Sequence, residues 1–467
     1  MTSFGAVTPE FIAAMLALFG PDGVSTGSAD LDLHARDQSH HHAHRPDVIV
    51  YPTRAEQVAE ALRLADGARI PVTAWGVGTG LEGNSIAVFG GLLVSFERMV
   101  RIVAVHADDF QVEVEPGIGH KDLNAQLTRY GLFFPPDPGA NATIGGMIAN
   151  NAAGIRTVKY GATKDNVLKM QVALADGRLI EVGSRSVKQS SGYDLLHLFI
   201  GSEGTLGLVT SATLKLVPVP SLMSAVVAAF PSVEAAVETV VAVRGSGLDP
   251  AALELIDAAH ARMLRETEGV ELSDDPTLFM EFHAAIPESL EAGLAAVREI
   301  CEESGALSFR ATTDPAERKR LWHARHSSYE IMVRSHPDRQ FFIMDVAVPI
   351  SAYPELIAFV EQLKRETGVT AYMIGHAGDG NVHVEFPFRD RAEYDCAMDL
   401  NDRIVVKALE LGGTATGEHG VGIGKARFME REHGQALNVM RAIKGVLDPN
   451  GILNPGKIFP EAVPHED

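Results

Sequence analysis

Apolar runs cut by glycine and proline give this chain its first readable elements. Residues 47–51 form a short apolar run, the mark of a strand. A helical period follows as far as Gly67, and residues 70–74 are a second apolar run. Thr53, with Glu56 three residues on, reads as a capping box for that helix. Alternation over residues 111–115 stops at Pro116-Gly117 and predicts a strand. Residues 120–130, closed by Gly131, predict a helix. Residues 168–174 and 178–182 read as a hairpin around Ala175-Asp176-Gly177, and 208–216 as a further strand. Pro218 and Pro220 then mark a domain boundary, giving domains 1–218 and 219–467, with the first forty or so residues an extension.

Beyond that boundary the periods repeat. Helical spacing over 232–243 leads to strands at 252–256 and 277–283, a helix at 287–304 and a strand at 307–310. Residues 341–348 are apolar and β-rich, and 354–367 helical. Two sets of strand, helix and strand predict a ferredoxin-like sheet with helices on one face. Between them, residues 315–333 read as one helix on which Trp322, Arg325 and Tyr329 share a face. An arginine among aromatics suits a bidentate carboxylate clamp. The alternative is a solvated arginine stacked on Trp322.

Glycine changes the picture of the first half. Gly78-Thr-Gly80-Leu-Glu-Gly83 fits GxGxxG after a strand, but no helical period follows, so a Rossmann fold is rejected. The loop's backbone N–H groups still suit a diphosphate. Residues 133–167 are rich in Gly, Ala, Asn and Pro and poor in bulky apolar side chains. So long a stretch of small residues suggests backbone pressed against a large flat ligand.

Composition narrows the function. The chain has 467 residues, enough for two or three domains, and a net charge of −21 that disfavours nucleic acid as a partner. Its two cysteines, Cys301 and Cys396, lie in no CxxC pair, so neither a disulfide framework nor a cysteine metal site is expected. No run of about 18 apolar residues occurs. The expected setting is the cytoplasm, with contact at the inner membrane face and a homodimer both left open. The His-rich stretch 39–46 reads as an exposed loop rather than a metal tract.

Two segments carry the candidate chemistry. Residues 375–385 read GHAGDGNVHVE and residues 416–425 read TGEHGVGIGK. His376 and His383 enclose a Gly-Asp-Gly-Asn turn, so they flank a hairpin-like turn where they can converge. Glu385 alternates with His383 on one strand face, and Glu418 and His419 are adjacent. His, His and Glu suit a divalent metal such as zinc or manganese, leaving one imidazole for proton transfer. Ordinary polar roles for these histidines stay open on spacing alone.

Five ordered segments, AWGVGTGLEGN, EVEPGIGHKDLN, PPDPGANATIGGMIANNAAG, YGATKDNVL and GSEGTLGLVT, resemble the FAD-binding domain of the vanillyl-alcohol oxidase / p-cresol methylhydroxylase superfamily. The resemblance covers residues 45–218. It implies that Gly76, Val77, Gly78, Thr79 and Gly80 hold the FAD diphosphate. It also places Pro138, Thr143, Gly145, Gly146, Asn150, Gly154, Gly161, Glu203, Gly204 and Gly207 along the cofactor. The diphosphate loop has neither His nor Cys, so a non-covalent FAD is expected.

LWHARHSSY, IMDVAVPIS, GHAGDGNVHVEF, TGEHGVGIGK and LDPNGILNPGKIF resemble the C-terminal half of FAD-linked D-2-hydroxyacid dehydrogenases, a group with D-lactate dehydrogenases and the glycolate oxidase catalytic subunit. By this resemblance the fold is α+β: a two-subdomain FAD-binding domain, then a ferredoxin-like cap. His376, His383 and Glu418 are the implied metal ligands and His419 the implied base. Arg325 is the implied carboxylate arginine, and Asn454 approaches the flavin. The implied partners are a small 2-hydroxy acid, D-lactate rather than glycolate or D-2-hydroxyglutarate, and an electron acceptor: a quinone, a cytochrome or an electron-transfer flavoprotein. Two readings from other classes remain, a redox-silent FAD protein such as an ether-lipid synthase and a non-catalytic flavin subunit.

Overall fold

The computed structural model describes residues 4–460, and the chain divides into two compact units. The first holds the residues up to Ala153, Ala162–Pro218 and the chain from Glu418 onward. The second holds Gly154–Gly161 and Val219–Gly417.

The first unit has two main sheets. In the smaller, Val24–Ser25, Val48–Val50, Leu92–Ser95 and Val72–Trp75 lie in that order. The last three are parallel, as a strand–helix–strand crossover requires. The crossover helix Ala55–Ala68 buries Val58, Ala61, Leu62 and Ala65, one stripe at helical spacing, against the core. Its N-cap is Arg54, which makes no side-chain cap bond. The expected Thr53–Glu56 capping box is absent because Thr53 N and Oγ1 both donate to Gln57 Oε1, at 2.9 and 3.1 Å. The larger sheet is antiparallel, in the order Ile102–His106, Gln111–Val114, Leu208–Lys215, Val167–Ala173, Leu179–Gly183.

The N-terminal part of this unit was not read from the sequence. Thr8 caps the helix Pro9–Phe19, and Phe11 and Met15 enter the same core as Val48 and Val72. At the other end of the chain Leu453 bridges Val72, and Asn454 N donates to Val72 O at 2.8 Å.

The second unit is built on a seven-stranded antiparallel sheet. Its order is Ser308–Thr312, Leu222–Ala229, Thr277–Ala284, Ala252–Ile256, Tyr372–Gly375, Asn381–Phe388, Gln340–Ala347. The first four strands, with helices Val233–Gly245 and Pro287–Glu303, make one ferredoxin-like set. The other three, with Tyr353–Thr367 and Arg391–Glu410, repeat it without the last strand; only a bridge between Ala347 and Thr414 stands in that place. Helices cover both faces rather than one. Ala258–Glu268, Pro315–His326 and Ser328–Ser335 pack Leu264, Trp322, Ile331 and Met332 against Val227, Ile256, Phe279 and Ile374. The single helix expected over 315–333 is two helices, broken at Ser327. No helix among the described residues is long and apolar enough to cross a membrane.

Candidate functional site

A cleft in the first unit encloses about 1300 Å³ of atom-free space, its mouth included. Its walls are short: the loop 74–81, the stretch 138–153, the turn 202–209, and the residues Glu418, His419 and Asn454. Of the residues expected on a cofactor, Gly76, Val77, Gly78, Thr79, Gly80, Pro138, Thr143, Gly145, Gly146, Asn150, Glu203, Gly204, Gly207 and Asn454 all line it. Gly154 and Gly161 do not; they bound the short segment that belongs to the other unit.

Glycine is required here by space. A Cβ on Gly76 would lie 2.4 Å from Thr143 Oγ1, and one on Gly145 would lie 2.7 Å from Pro116 Cβ. Thr143 caps the helix Ile144–Asn150, accepting from Gly146 N. The loop and the helix start therefore close on each other with backbone facing the cleft.

Two other wall residues sit in left-handed backbone without being glycine: Glu203 at φ 51° and Asn454 at φ 41°. Such residues cost on the order of 1–3 kcal/mol each and persist only where surrounding bonds fix them. Those bonds are present. Asn454 Nδ2 donates to Asn84 O at 2.9 Å and to Glu203 O at 2.7 Å. The Glu203 carboxylate accepts from Asn84 Nδ2 at 2.8 Å, Val421 N at 2.6 Å and Gly422 N at 2.9 Å. The His419 carbonyl accepts from Asn150 Nδ2 at 3.2 Å and Asn84 Nδ2 at 3.4 Å. The backbone of the Glu418–Gly422 loop is thus held at the cleft by Glu203, Asn84 and Asn150. Burial pushes the Glu203 carboxyl above its usual range, with these hydrogen bonds opposing it. Beneath lies Lys457, buried, donating to Ile86 O at 2.6 Å. Burial brings its ammonium down to about 8, against the pull of Glu203 and Asp37.

The second unit carries the other cluster. His376 follows the strand Tyr372–Gly375, and His383 lies within Asn381–Phe388, with the turn Ala377–Gly380 between them. Their rings meet edge to face with centroids 5.3 Å apart. His376 Nδ1 lies 2.9 Å from both carboxylate oxygens of Glu254. Leu255 pairs with Gly375, so Glu254 and His376 face each other across the next rung. A histidine that donates Nδ1–H to a carboxylate keeps a lone pair on Nε2, the arrangement found behind metal-bound imidazoles. Asp345 Oδ1 stands 3.6 Å from His383 Nδ1. The same carboxylate accepts from Asn381 Nδ2 at 2.7 Å, Thr416 Oγ1 at 2.8 Å and Gly417 N at 2.7 Å.

Glu254 also holds Arg325, a buried ion pair through Nη2. Burial works against the charged form of Glu254, yet His376 and Arg325 hold its carboxyl below the usual range. Arg325 is 6% exposed, so the expected alternative of a solvated arginine is wrong. Its Nε is buried without a hydrogen-bond partner among the described residues. Glu254 and Asp345 were missed as site residues; the signal for each was an acid inside an apolar strand, Ala-Leu-Glu-Leu-Ile and Ile-Met-Asp-Val-Ala.

The His-rich stretch 39–46 is also corrected in part. His40 and His41 are half-buried, and burial brings them down to about 4 and about 3, so both imidazoles are neutral. Among the described residues they form no metal-holding group.

Residues 46–183 match the FAD binding domain family, and residues 219–458 match the family of FAD linked oxidases, C-terminal domain. The chain belongs to the FAD-linked oxidase family. The chain is 38% identical to a probable mitochondrial D-lactate dehydrogenase of Danio rerio, over 97% of this chain and 92% of the other. It is 37% identical to the mitochondrial D-lactate dehydrogenase [cytochrome] of Arabidopsis thaliana, covering 97% and 81%. Glycolate oxidase subunit GlcD of Bacillus subtilis is 32% identical, covering 97% of each. In fold it is similar to 4-ethylphenol oxidase from Gulosibacter chungangensis, with a TM-score of 0.78 at 18% identity over 98% of this chain and 99% of that one.

The cleft fits an FAD. Its glycine walls let backbone approach a flat ligand, and its loop presents N–H groups to a diphosphate. Gly76→Ala is therefore expected to purify with little or no FAD, because its methyl meets Thr143. The ratio of flavin to protein absorbance checks this, and a fully yellow variant would refute it.

Proposed function

We propose that this FAD-linked oxidoreductase oxidises a D-2-hydroxy acid, D-lactate foremost, to the 2-oxo acid. One observation supports the reading: Arg325 and His376 share the Glu254 carboxylate, and Arg325 Nε is buried without a hydrogen-bond partner among the described residues. A carboxylate-binding arginine tied to a metal-type imidazole suits a substrate that offers a carboxylate beside a hydroxyl. The D-lactate dehydrogenases among its relatives support the same class.

His376, His383 and Glu418 would hold a zinc- or manganese-type ion. Gly417, held by Asp345, is followed in the chain by Glu418, so the third ligand comes from a segment that is already fixed. Such an ion supplies Lewis-acid polarisation of the hydroxyl. FAD, non-covalent because loop 74–84 carries no His or Cys, supplies the acceptor for the hydride leaving C2. Arg325 binds the acid's carboxylate. His419 takes the hydroxyl proton at its imidazole. Hydride and proton together leave the 2-oxo acid. A quinone, a cytochrome or an electron-transfer flavoprotein then takes the electrons.

The test is anaerobic mixing of the yellow protein with D-lactate, L-lactate, glycolate and D-2-hydroxyglutarate, following the flavin band. Bleaching fastest with D-lactate is expected. Fastest bleaching by glycolate would assign a glycolate oxidase catalytic subunit. No bleaching by any acid would favour a redox-silent flavoprotein. Arg325→Lys keeps the charge beside Glu254 but loses the planar fork. A lost charge-assisted hydrogen bond is worth about 1.5–3 kcal/mol, so KM is expected to rise roughly 10- to 100-fold with a smaller change in kcat. An unchanged KM would return Arg325 to a purely structural role.

A further inference from the structure

The turn at residues 37–41, in the first unit, lies against both the diphosphate loop and the loop that bears His419. It is wound on a buried acid. Asp37 Oδ1 accepts from Ser39 N at 3.0 Å and from Ser39 Oγ at 2.5 Å. Ser39 Oγ in turn accepts from His41 N at 3.4 Å. The near end of the turn is set by contact with the cleft wall: a Cβ on Gly80 would lie 3.0 Å from Asp37 Oδ2. The far end presents the ring of His41.

That ring fills a joint between two segments far apart in the chain. A Cβ on Gly83 would lie 2.9 Å from His41 Cδ2, and one on Gly424 would lie 3.0 Å from His41 Nε2. The two segments also meet through backbone, since Glu82 O accepts from Ile423 N at 2.8 Å and from Gly424 N at 3.3 Å. Gly83 continues the loop that carries Gly76–Gly80, and Gly424 lies a few residues beyond His419. His41 Nε2 is buried without a hydrogen-bond partner among the described residues, so this nitrogen adds no bond to the joint and the ring acts there by its flat shape. Close-packed interiors transmit a change of shape to their neighbours, so what fills this joint bears on where the His419 loop sits.

We propose that the turn 37–41 fixes the His419 loop against the FAD-binding loop, with His41 the positioning residue wedged between them. The proposal rests on the reading of His419 as the base and deepens it: proton transfer depends on a side chain that touches neither substrate nor flavin. A base displaced by about 1 Å can cost up to roughly 100-fold in rate. Arg325 belongs to the other unit, so binding of the acid's carboxylate does not depend on this wedge.

The test compares the native holoprotein with His41→Ala and His41→Phe by two readouts. The first is flavin reduction by D-lactate: His41→Ala is expected to lose roughly 10- to 100-fold in kcat with KM unchanged and FAD still bound, and His41→Phe, which keeps a flat ring, to recover most of it. The second needs no substrate. Val421 N and Gly422 N donate to Glu203, and their hydrogen exchange in the holoprotein is expected to quicken by about tenfold or more in His41→Ala and to return toward native in His41→Phe. Ser39→Ala cuts the link from Asp37 to His41 N while leaving the ring; it should move both readouts the same way by a smaller factor, and it serves if the alanine variant does not fold. Native exchange and native kcat in His41→Ala would overturn the proposal. Faster exchange with native kcat would overturn the positioning of His419. Failure of every 2-hydroxy acid to bleach the native flavin would overturn the parent reading, and the exchange rates would then decide by themselves whether His41 holds the loop.

Discussion

His419→Ala is expected to reduce its flavin about 100- to 10,000-fold more slowly than the native protein, the usual contribution of a positioned general base. The variant should keep its FAD. The fixed part of His419 is its backbone: Asn150 and Asn84 hold the carbonyl, and Glu203 holds the amides of Val421 and Gly422. None of these bonds uses the imidazole, so all of them survive truncation at Cβ. Stopped-flow absorbance with D-lactate gives the rate, and the flavin-to-protein ratio gives the occupancy. A normal reduction rate in a yellow His419→Ala protein would remove His419 from proton transfer.

Glu254→Leu carries the other large effect. Glu254 is fully buried and answers two groups at once, the Arg325 guanidinium and His376 Nδ1. Removing one partner of a buried pair leaves an uncompensated charge and costs about 3–5 kcal/mol. Loss of the carboxylate behind a metal-bound imidazole costs about 10- to 100-fold in metal affinity. Both losses are expected in this variant, read from denaturant unfolding of the holoprotein and from metal content after dialysis. Glu254→Gln should keep part of the stability, because its amide oxygen still accepts from one neighbour. Native stability in the leucine variant would mean that Arg325 finds another partner.

The sequence was most legible where geometry excludes side chains. Gly76 and Gly145 face atoms within 3 Å of where a Cβ would sit, and such close approaches leave glycine in the sequence whatever surrounds it. Strand and helix periods showed the ferredoxin-like sets for the same reason, since burial of one face imposes them. Contacts between distant positions left no such trace. Glu254 is 71 residues from Arg325 and 122 from His376; strand register sets it against His376, and the packing of helix Pro315–His326 on the sheet brings Arg325 to it. The helix break at Ser327 was hidden because helical composition continues on both sides. His41 read as exposed because no local pattern shows that Gly83 and Gly424, from distant loops, pack against its ring. Strands Leu92–Ser95 and Ile102–His106 escaped for other reasons. The first follows Gly90-Gly91 directly, and the second is a partly exposed edge with little alternation.

On the proposed mechanism FAD and a divalent ion on His376, His383 and Glu418 act together on a D-2-hydroxy acid. Its most direct test is the rate of flavin reduction by D-lactate under anaerobic conditions, before and after chelation with EDTA and after zinc or manganese is returned. Fast bleaching is expected, abolished by the chelator with FAD still bound and restored by one of the two ions. Equally fast bleaching by a protein shown to be metal-free would contradict it.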